Sequence, residues 1–241
     1  MREPKMRNVD RILIIQFMDK STSDGDQSID SGTASLRKHL QGKGWVVDTL
    51  TYLCARGTSY HDYEPVGISS EMVKPSTLMS ASALQAFTTH LSQLTNNSEL
   101  ILRGHGSSSM ATVCGIGGMA MANFLHGMGL RANCKINITS CQAARGMAHV
   151  DADARKISAT VLSEDSFARD LIHRLCQHGL RNQVHARVQN VIITQAGRKT
   201  TRRHGSSTKG DHVGKQACSK IVFSCDVNGF ASSRYSSDPG P

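Results

Sequence analysis

A histidine and a cysteine each close an apolar run in this chain. Glu99-Leu100-Ile101-Leu102-Arg103-Gly104-His105-Gly106 carries a strand pattern into a His-Gly turn, and Ile136-Asn137-Ile138-Thr139-Ser140-Cys141 carries a second into a cysteine. A thiol beside an imidazole is the minimum equipment for attack on an acyl carbon: the thiolate attacks and the imidazole moves the proton. On that chemistry Cys141 is the candidate nucleophile and His105 the candidate base. Gly106 has no side chain, so its N–H can approach a substrate carbonyl, and with the N–H of Cys141 it would form an oxyanion hole. His-Gly also occurs at His126-Gly127, His178-Gly179 and His204-Gly205. Only His105 follows a strand, and His178 reads as a helix-terminal residue favoured by the helix dipole.

These residues act together only if the elements before them are neighbours. Arg11 to Phe17 is a continuous aliphatic run, as expected of a strand buried on both faces. Further strands are expected at 45–53, 99–102, 135–139, 184–194 and 220–225. Helices are expected at 34–41, 81–94, 119–128 and around Phe167, Leu171, Ile172 and Leu175. Residues 19–32, 55–77 and the basic stretch 197–214 read as loops. Strands alternating with helices predict an α/β fold with a mainly parallel sheet and helices on both faces. Ligands of such sheets bind beyond the carboxyl ends of the strands. Adjacent strands lie about 5 Å apart there, close enough for His105 and Cys141 to meet. Gln142-Ala143-Ala144-Arg145 tolerates a first helical turn, whose dipole would favour a thiolate.

Other chemistries lack their spacing. A phosphate-cradling cysteine loop needs an arginine six positions on, and Arg145 stands at four. No Gly-x-Ser-x-Gly follows a strand. Gly115-Ile116-Gly117-Gly118 departs from the dinucleotide fingerprint, and the cysteines and histidines show no zinc spacing.

The length of 241 residues suits one domain, read as 1–230 with a disordered Ser/Pro/Gly tail over 231–241. Seven cysteines, an odd number without a CxxC pair, read as reduced thiols rather than a disulfide scaffold. The longest apolar run near the start, Ile12 to Ile15, is too short for a signal-peptide core or a membrane span. That places the protein in a cytoplasm, its own or, after delivery without a Sec-type signal, another cell's. The net charge of +9 favours acidic partners. Aromatic residues are only 5% and do not interleave with the basic run, which disfavours stacking on nucleic acid.

The order strand–His105–Gly106, then strand–Cys141, resembles the caspase-like cysteine peptidases: caspases, metacaspases, legumain, clostripain, gingipain and the autoprocessing domains of bacterial toxins. The resemblance spans residues 10–195 in element order and is specific at Leu100–Gly106 and Ile136–Gly146. It implies a caspase-like three-layer sandwich and an endopeptidase acting on protein substrates, itself included, through a Cys141–His105 dyad without a metal. Caspases place Gln-Ala before the cysteine. Here Gln142-Ala143 follows it, and the interval from His105 is shorter than the caspase interval of about 50 residues. The toxin and clostripain branches are therefore the nearer kin, and a bacterial effector acting in host cytosol fits that habit. In relatives, loops after the first, third and fifth strands grip the substrate side chain. Asp19, Asp24 and Asp26 would favour a basic residue there and Arg198, Lys199, Arg202 and Arg203 an acidic one, with Ser140 beside the nucleophile as a further contact. In toxin domains an inositol polyphosphate activates the peptidase from a Lys/Arg pocket, to which Lys209, Lys215 and Lys220 would contribute here. The rival reading is a non-catalytic binding module or pseudoenzyme that uses the basic surface of 181–220 for acidic ligands or nucleic acid.

Overall fold

The apolar runs become the strands of one central sheet. The structure is a computed structural model that describes residues 10–19, 23–54, 80–108, 111–149, 151–202, 219–226 and 228–236. In chain order come β1 (Ile12–Asp19), α1 (Ser23–Gln41), β2 (Val47–Cys54), α2 (Ala81–Ser92) and β3 (Glu99–Arg103). A small meander follows, β4 (Gly106–Ser107), β5 (Thr112–Val113) and β6 (Ile116–Gly117), leading into α3 (Gly118–Gly127). Then come β7 (Lys135–Thr139), a 3₁₀ turn at Met147–His149, α4 (Ala159–Leu162), α5 (Phe167–Gln177) and β8 (Gln183–Arg187). A hairpin, β9 (Asn190–Ile193) and β10 (Lys199–Arg202), precedes β11 (Lys220–Cys225) and β12 (Ala231–Tyr235).

The seven-stranded sheet has the order β12-β11-β8-β7-β3-β1-β2. From β8 to β2 every pairing is parallel, while β11 and β12 are antiparallel. This is the mainly parallel α/β architecture expected of a caspase-like sandwich. Period-two alternation splits β1 between two cores. Leu13, Ile15 and Phe17 join Phe87, Phe124 and Leu171 under α2, α3 and α5, whereas Ile12 and Ile14 join Leu36 and Ile101 under α1. The glycine-rich stretch before α3 serves packing. A Cβ on Gly118 would sit 2.6 Å from Leu171 N and collide with Phe167 O, so only glycine lets α3 cross α5 this closely.

Five expectations change. α1 begins at Ser23, so Asp24 and Asp26 lie in its first turns and not in a loop. The strand expected over 184–194 is two: the chain leaves the sheet after Arg187 because the carbonyls of Arg187, Val188 and Gln189 accept from Ala144 N, Arg145 Nε and Gln142 N. Part of the basic stretch, Lys199–Arg202, is the strand β10; residues 203–218, with Arg203, Lys209 and Lys215, lie outside the described residues, as does 55–79. The tail expected to be disordered supplies β12, which covers the β11 edge from Tyr235 opposite Ile221 to Ala231 opposite Cys225; residues 237–241 lie outside the description. Cys176 and Cys225, expected to be thiols, form a disulfide joining the end of α5 to the end of β11.

His178 does cap α5. Its ring stacks on His126 with centroids 4.1 Å apart, and burial, then His126, Arg174 and Arg131, pull its pKa down, so the neutral ring is favoured there.

Candidate active site

β3 and β7 are adjacent and parallel, with Arg103 opposite Thr139. Their carboxyl ends are therefore level, and Gly104-His105-Gly106 runs beside Ser140-Cys141. Two observations fix this contact. Ser140 Oγ donates to Gly104 O at 2.7 Å. A Cβ on Gly106 would lie 2.6 Å from Ser140 Oγ and 3.0 Å from Cys141 N, and would overlap Cys141 O outright. The absence of a side chain at Gly106 is what allows the two strand ends to touch.

The meander after His105 holds its main chain. Cys114 N–H donates to His105 O at 2.6 Å, and Val113 fills the space beside Gly104. The Cys114 sulfur in turn lies 3.0 Å from that of Cys54 at the end of β2. Beyond Cys141 the chain turns sharply, with Gln142 in the left-handed region at φ 53°. Its side-chain oxygen accepts from Ser108 Oγ at 2.6 Å. Arg145 then clamps the turn, donating to the carbonyls of Val188, His149 and Ala152 at 3.0, 2.6 and 2.8 Å. The helix expected here does not form: the N–H groups of Gln142 and Ala144 are drawn to Gln189 O and Arg187 O. No helix dipole points at the sulfur.

Among the described free cysteines, Cys54, Cys114 and Cys134 are buried and Cys141 is partly buried. The Cys141 thiol lies 3.8 Å from Val191 O on β9. Burial pushes its pKa up, against the opposing pull of the Val191 hydrogen bond and of Arg103. Arg103 is itself buried, and its Nε donates to Thr33 Oγ1 at 3.0 Å and Ile29 O at 3.3 Å on α1.

A second charged layer lies under the β9–β10 hairpin. Lys199 is pulled down to about 8 by burial, Glu99 acting in the opposite direction and Lys135, Arg187 and Arg103 adding to the depression. Glu99 is already engaged by Lys135 at 3.3 Å and by Asn137. Lys220 stands opposite Arg187 in the β8–β11 register. This layer is a concentration of cations with one carboxylate. Among the described residues no group of three or more His, Cys, Asp or Glu is placed to hold a metal, and no helix is long and apolar enough to cross a membrane.

The structure thus brings the backbone of the His105-Gly106 turn against that of Cys141. Ser140 is 2% exposed, and its hydroxyl donates inward to Gly104 O of the His-Gly turn. Arg198 sits in the hairpin turn with its charge acting on His39, further along α1 than the residues that hold Arg103. Asp19 ends β1 opposite Cys54; its side chain lies outside the described residues. Arg103 was not among the sequence candidates, although a buried strand ending in a charge is a readable signal.

Residues 69–202 match the Peptidase C80 family. That stretch is more than half of the chain and contains both His105 and Cys141. No curated protein matches the chain. With both strand-end residues inside the matched region, the chain belongs to the Peptidase C80 family and is a cysteine peptidase, a hydrolase acting on protein.

Proposed function

We propose that the protein is an endopeptidase in which Cys141 and His105 act as a dyad. The observation that carries the reading is the contact between Gly106 and the Cys141 backbone at adjacent strand ends, one residue after His105. The Cys141 thiolate adds to the peptide carbonyl carbon. The oxyanion is received by the backbone N–H groups of Gly106 and Cys141. His105 delivers a proton to the departing amine, leaving an S-acyl enzyme. Water, deprotonated by the same imidazole, then releases the carboxylic acid and restores the thiol.

The resemblance to toxin domains supports cleavage of the chain itself, work in host cytosol, and activation by an inositol polyphosphate. The cationic layer fits such a ligand: Lys199, Arg187, Lys135 and Lys220 would hold its phosphates, with Arg103 at the border. The bound polyanion would supply negative charge that lets Lys199 keep its proton, and it would fasten the hairpin whose Val191 carbonyl meets the Cys141 sulfur.

The test is turnover of a peptide library by the wild type and by Cys141→Ala, with and without inositol hexakisphosphate. Cleavage by the wild type alone supports the dyad. A Cys141→Ala protein that cleaves equally well refutes it. A chain that binds the polyphosphate and never cleaves fits the binding-module reading.

A further inference from the structure

The end of β3 holds a cation that the dyad chemistry leaves unexplained. Arg103 is 5% exposed. Its partners on α1 are neutral oxygens: Thr33 Oγ1, Ile29 O and, at 3.4 Å, Ser28 O. None of the ion pairs among the described residues involves it. Glu99, at the other end of the same strand, shows the ordinary arrangement: a buried charge matched by Lys135. A buried guanidinium without a carboxylate is costly, because buried charges are ordinarily paired.

We propose that Arg103 is a positioning residue for the nucleophile, its guanidinium serving as the fixed counter-charge of the Cys141 thiolate. The inference rests on the reading of Cys141 as nucleophile and deepens it. Three features of the structure support it. Arg103 stands opposite Thr139 in the β3–β7 register, two residues before Cys141, so the two strands bring the arginine and the cysteine to the same end of the sheet. Gly32 of α1 makes room: a Cβ there would collide with Arg103 NH2, lie 3.1 Å from Cζ and 3.4 Å from Ile193 Cβ of the hairpin. Gly32 thus faces both the guanidinium and Ile193 of β9, the strand whose Val191 carbonyl meets the Cys141 sulfur. Finally, no helix begins at Cys141, so the dipole that commonly favours a thiolate is missing and another positive charge must replace it.

The electrostatics agree in both directions. Arg103 draws the Cys141 thiol down, and Cys141 holds Arg103 up against a burial that takes it to about 10. Arg103 therefore stays charged at neutral pH. The charged groups around the end of β3 lie on several elements. β3 and its extension bring Arg103 and His105, and β9 brings the Val191 carbonyl. α1 brings Asp30, which accepts from Gln16 Nε2 at 3.2 Å. β8 and β10 bring Arg187 and Lys199 to the layer behind Arg103.

The experiment measures the rate of Cys141 alkylation by iodoacetamide against pH, read by mass spectrometry of the Cys141 peptide, in the full chain without polyphosphate. In Arg103→Met the midpoint moves up by about one pH unit or more, the ordinary effect of losing an adjacent opposite charge. Arg103→Lys restores most of that shift. Gly32→Ala keeps the charge and improves the helix, yet displaces the guanidinium and moves the midpoint the same way by less. If Arg103→Met fails to fold, Gly32→Ala and Arg103→Lys decide. Midpoints equal to wild type in the folded variants overturn the inference. Since the readout is alkylation, it is separate from turnover: a Cys141→Ala protein that still cleaves sinks the dyad, and an unmoved midpoint with Cys141 essential sinks the role of Arg103 alone.

Discussion

Substituting Gly106 by alanine tests the strand-end contact on which the site is built. The new methyl carbon would stand 2.6 Å from Ser140 Oγ and 3.0 Å from Cys141 N and would overlap Cys141 O. Carbon contacts relax at about 3.5 Å or more, so the two strand ends must part by roughly 1 Å. Neither side yields freely. Ser140 is bonded to Gly104 O, and His105 O accepts from Cys114 N–H. Overpacking of this kind costs about 1–3 kcal/mol, which for a chain of this size lowers the melting temperature by about 2–12 °C. The effect on catalysis is larger, because a misplacement of about 1 Å between reacting groups costs on the order of 100-fold in rate. Gly106→Ala is expected to lose about 100-fold in kcat/KM for a peptide substrate while remaining folded by circular dichroism. Activity within threefold of wild type, with an unchanged melting temperature, would refute the reasoning, since it would mean that the strand ends do not meet as described.

Other sites give further expectations. Arg145→Met strands the carbonyls of Val188, His149 and Ala152 and should cost about 2–4 kcal/mol in urea denaturation; a loss below about 1 kcal/mol would show that the clamp is dispensable. The Cys176–Cys225 disulfide closes 49 residues, worth about 4 kcal/mol by chain entropy, so Cys225→Ser or dithiothreitol should lower the melting temperature by about 10 °C. Lys199 titrates at about 8 and is a cation only below that value. Calorimetry should therefore show inositol hexakisphosphate binding weaken as the pH rises through about 8, with proton uptake near that pH, and Lys199→Met should flatten the dependence.

The parts of the fold that were legible in the sequence are those whose burial is written in residue type. β1, β3, β7 and β11 are apolar runs, and α5 repeats its apolar residues at helical spacing. The first half of α1, Ser-Asp-Gly-Asp-Gln-Ser-Ile-Asp-Ser-Gly, has a loop's composition and no apolar period. Part of its stabilisation comes from elsewhere in the chain, through the Arg103 donors to Ser28 O and Ile29 O. β12, Ala-Ser-Ser-Arg-Tyr, lies at an edge that is half solvated, so hydrophobicity gives no signal there; its anchor is Tyr235, whose hydroxyl lies within hydrogen-bond distance of Ala154 O and Ile157 O. The same logic divides the site. His105, Gly106 and Cys141 follow strands and could be found by position. The turn at Gln142, which replaces the expected helix, is imposed by bonds to the β8 exit that no local pattern encodes. Arg103 becomes informative only once α1 is seen to hold it.

The most direct test of the central claim is the appearance of new peptide termini in a cell lysate treated with the purified protein, read by mass spectrometry beside Cys141→Ala. Termini produced by the wild type and absent with Cys141→Ala, increased by inositol hexakisphosphate, are the predicted result. Identical termini from both proteins, or none from the wild type even with the polyphosphate, would contradict the assignment of Cys141 as the nucleophile of an endopeptidase.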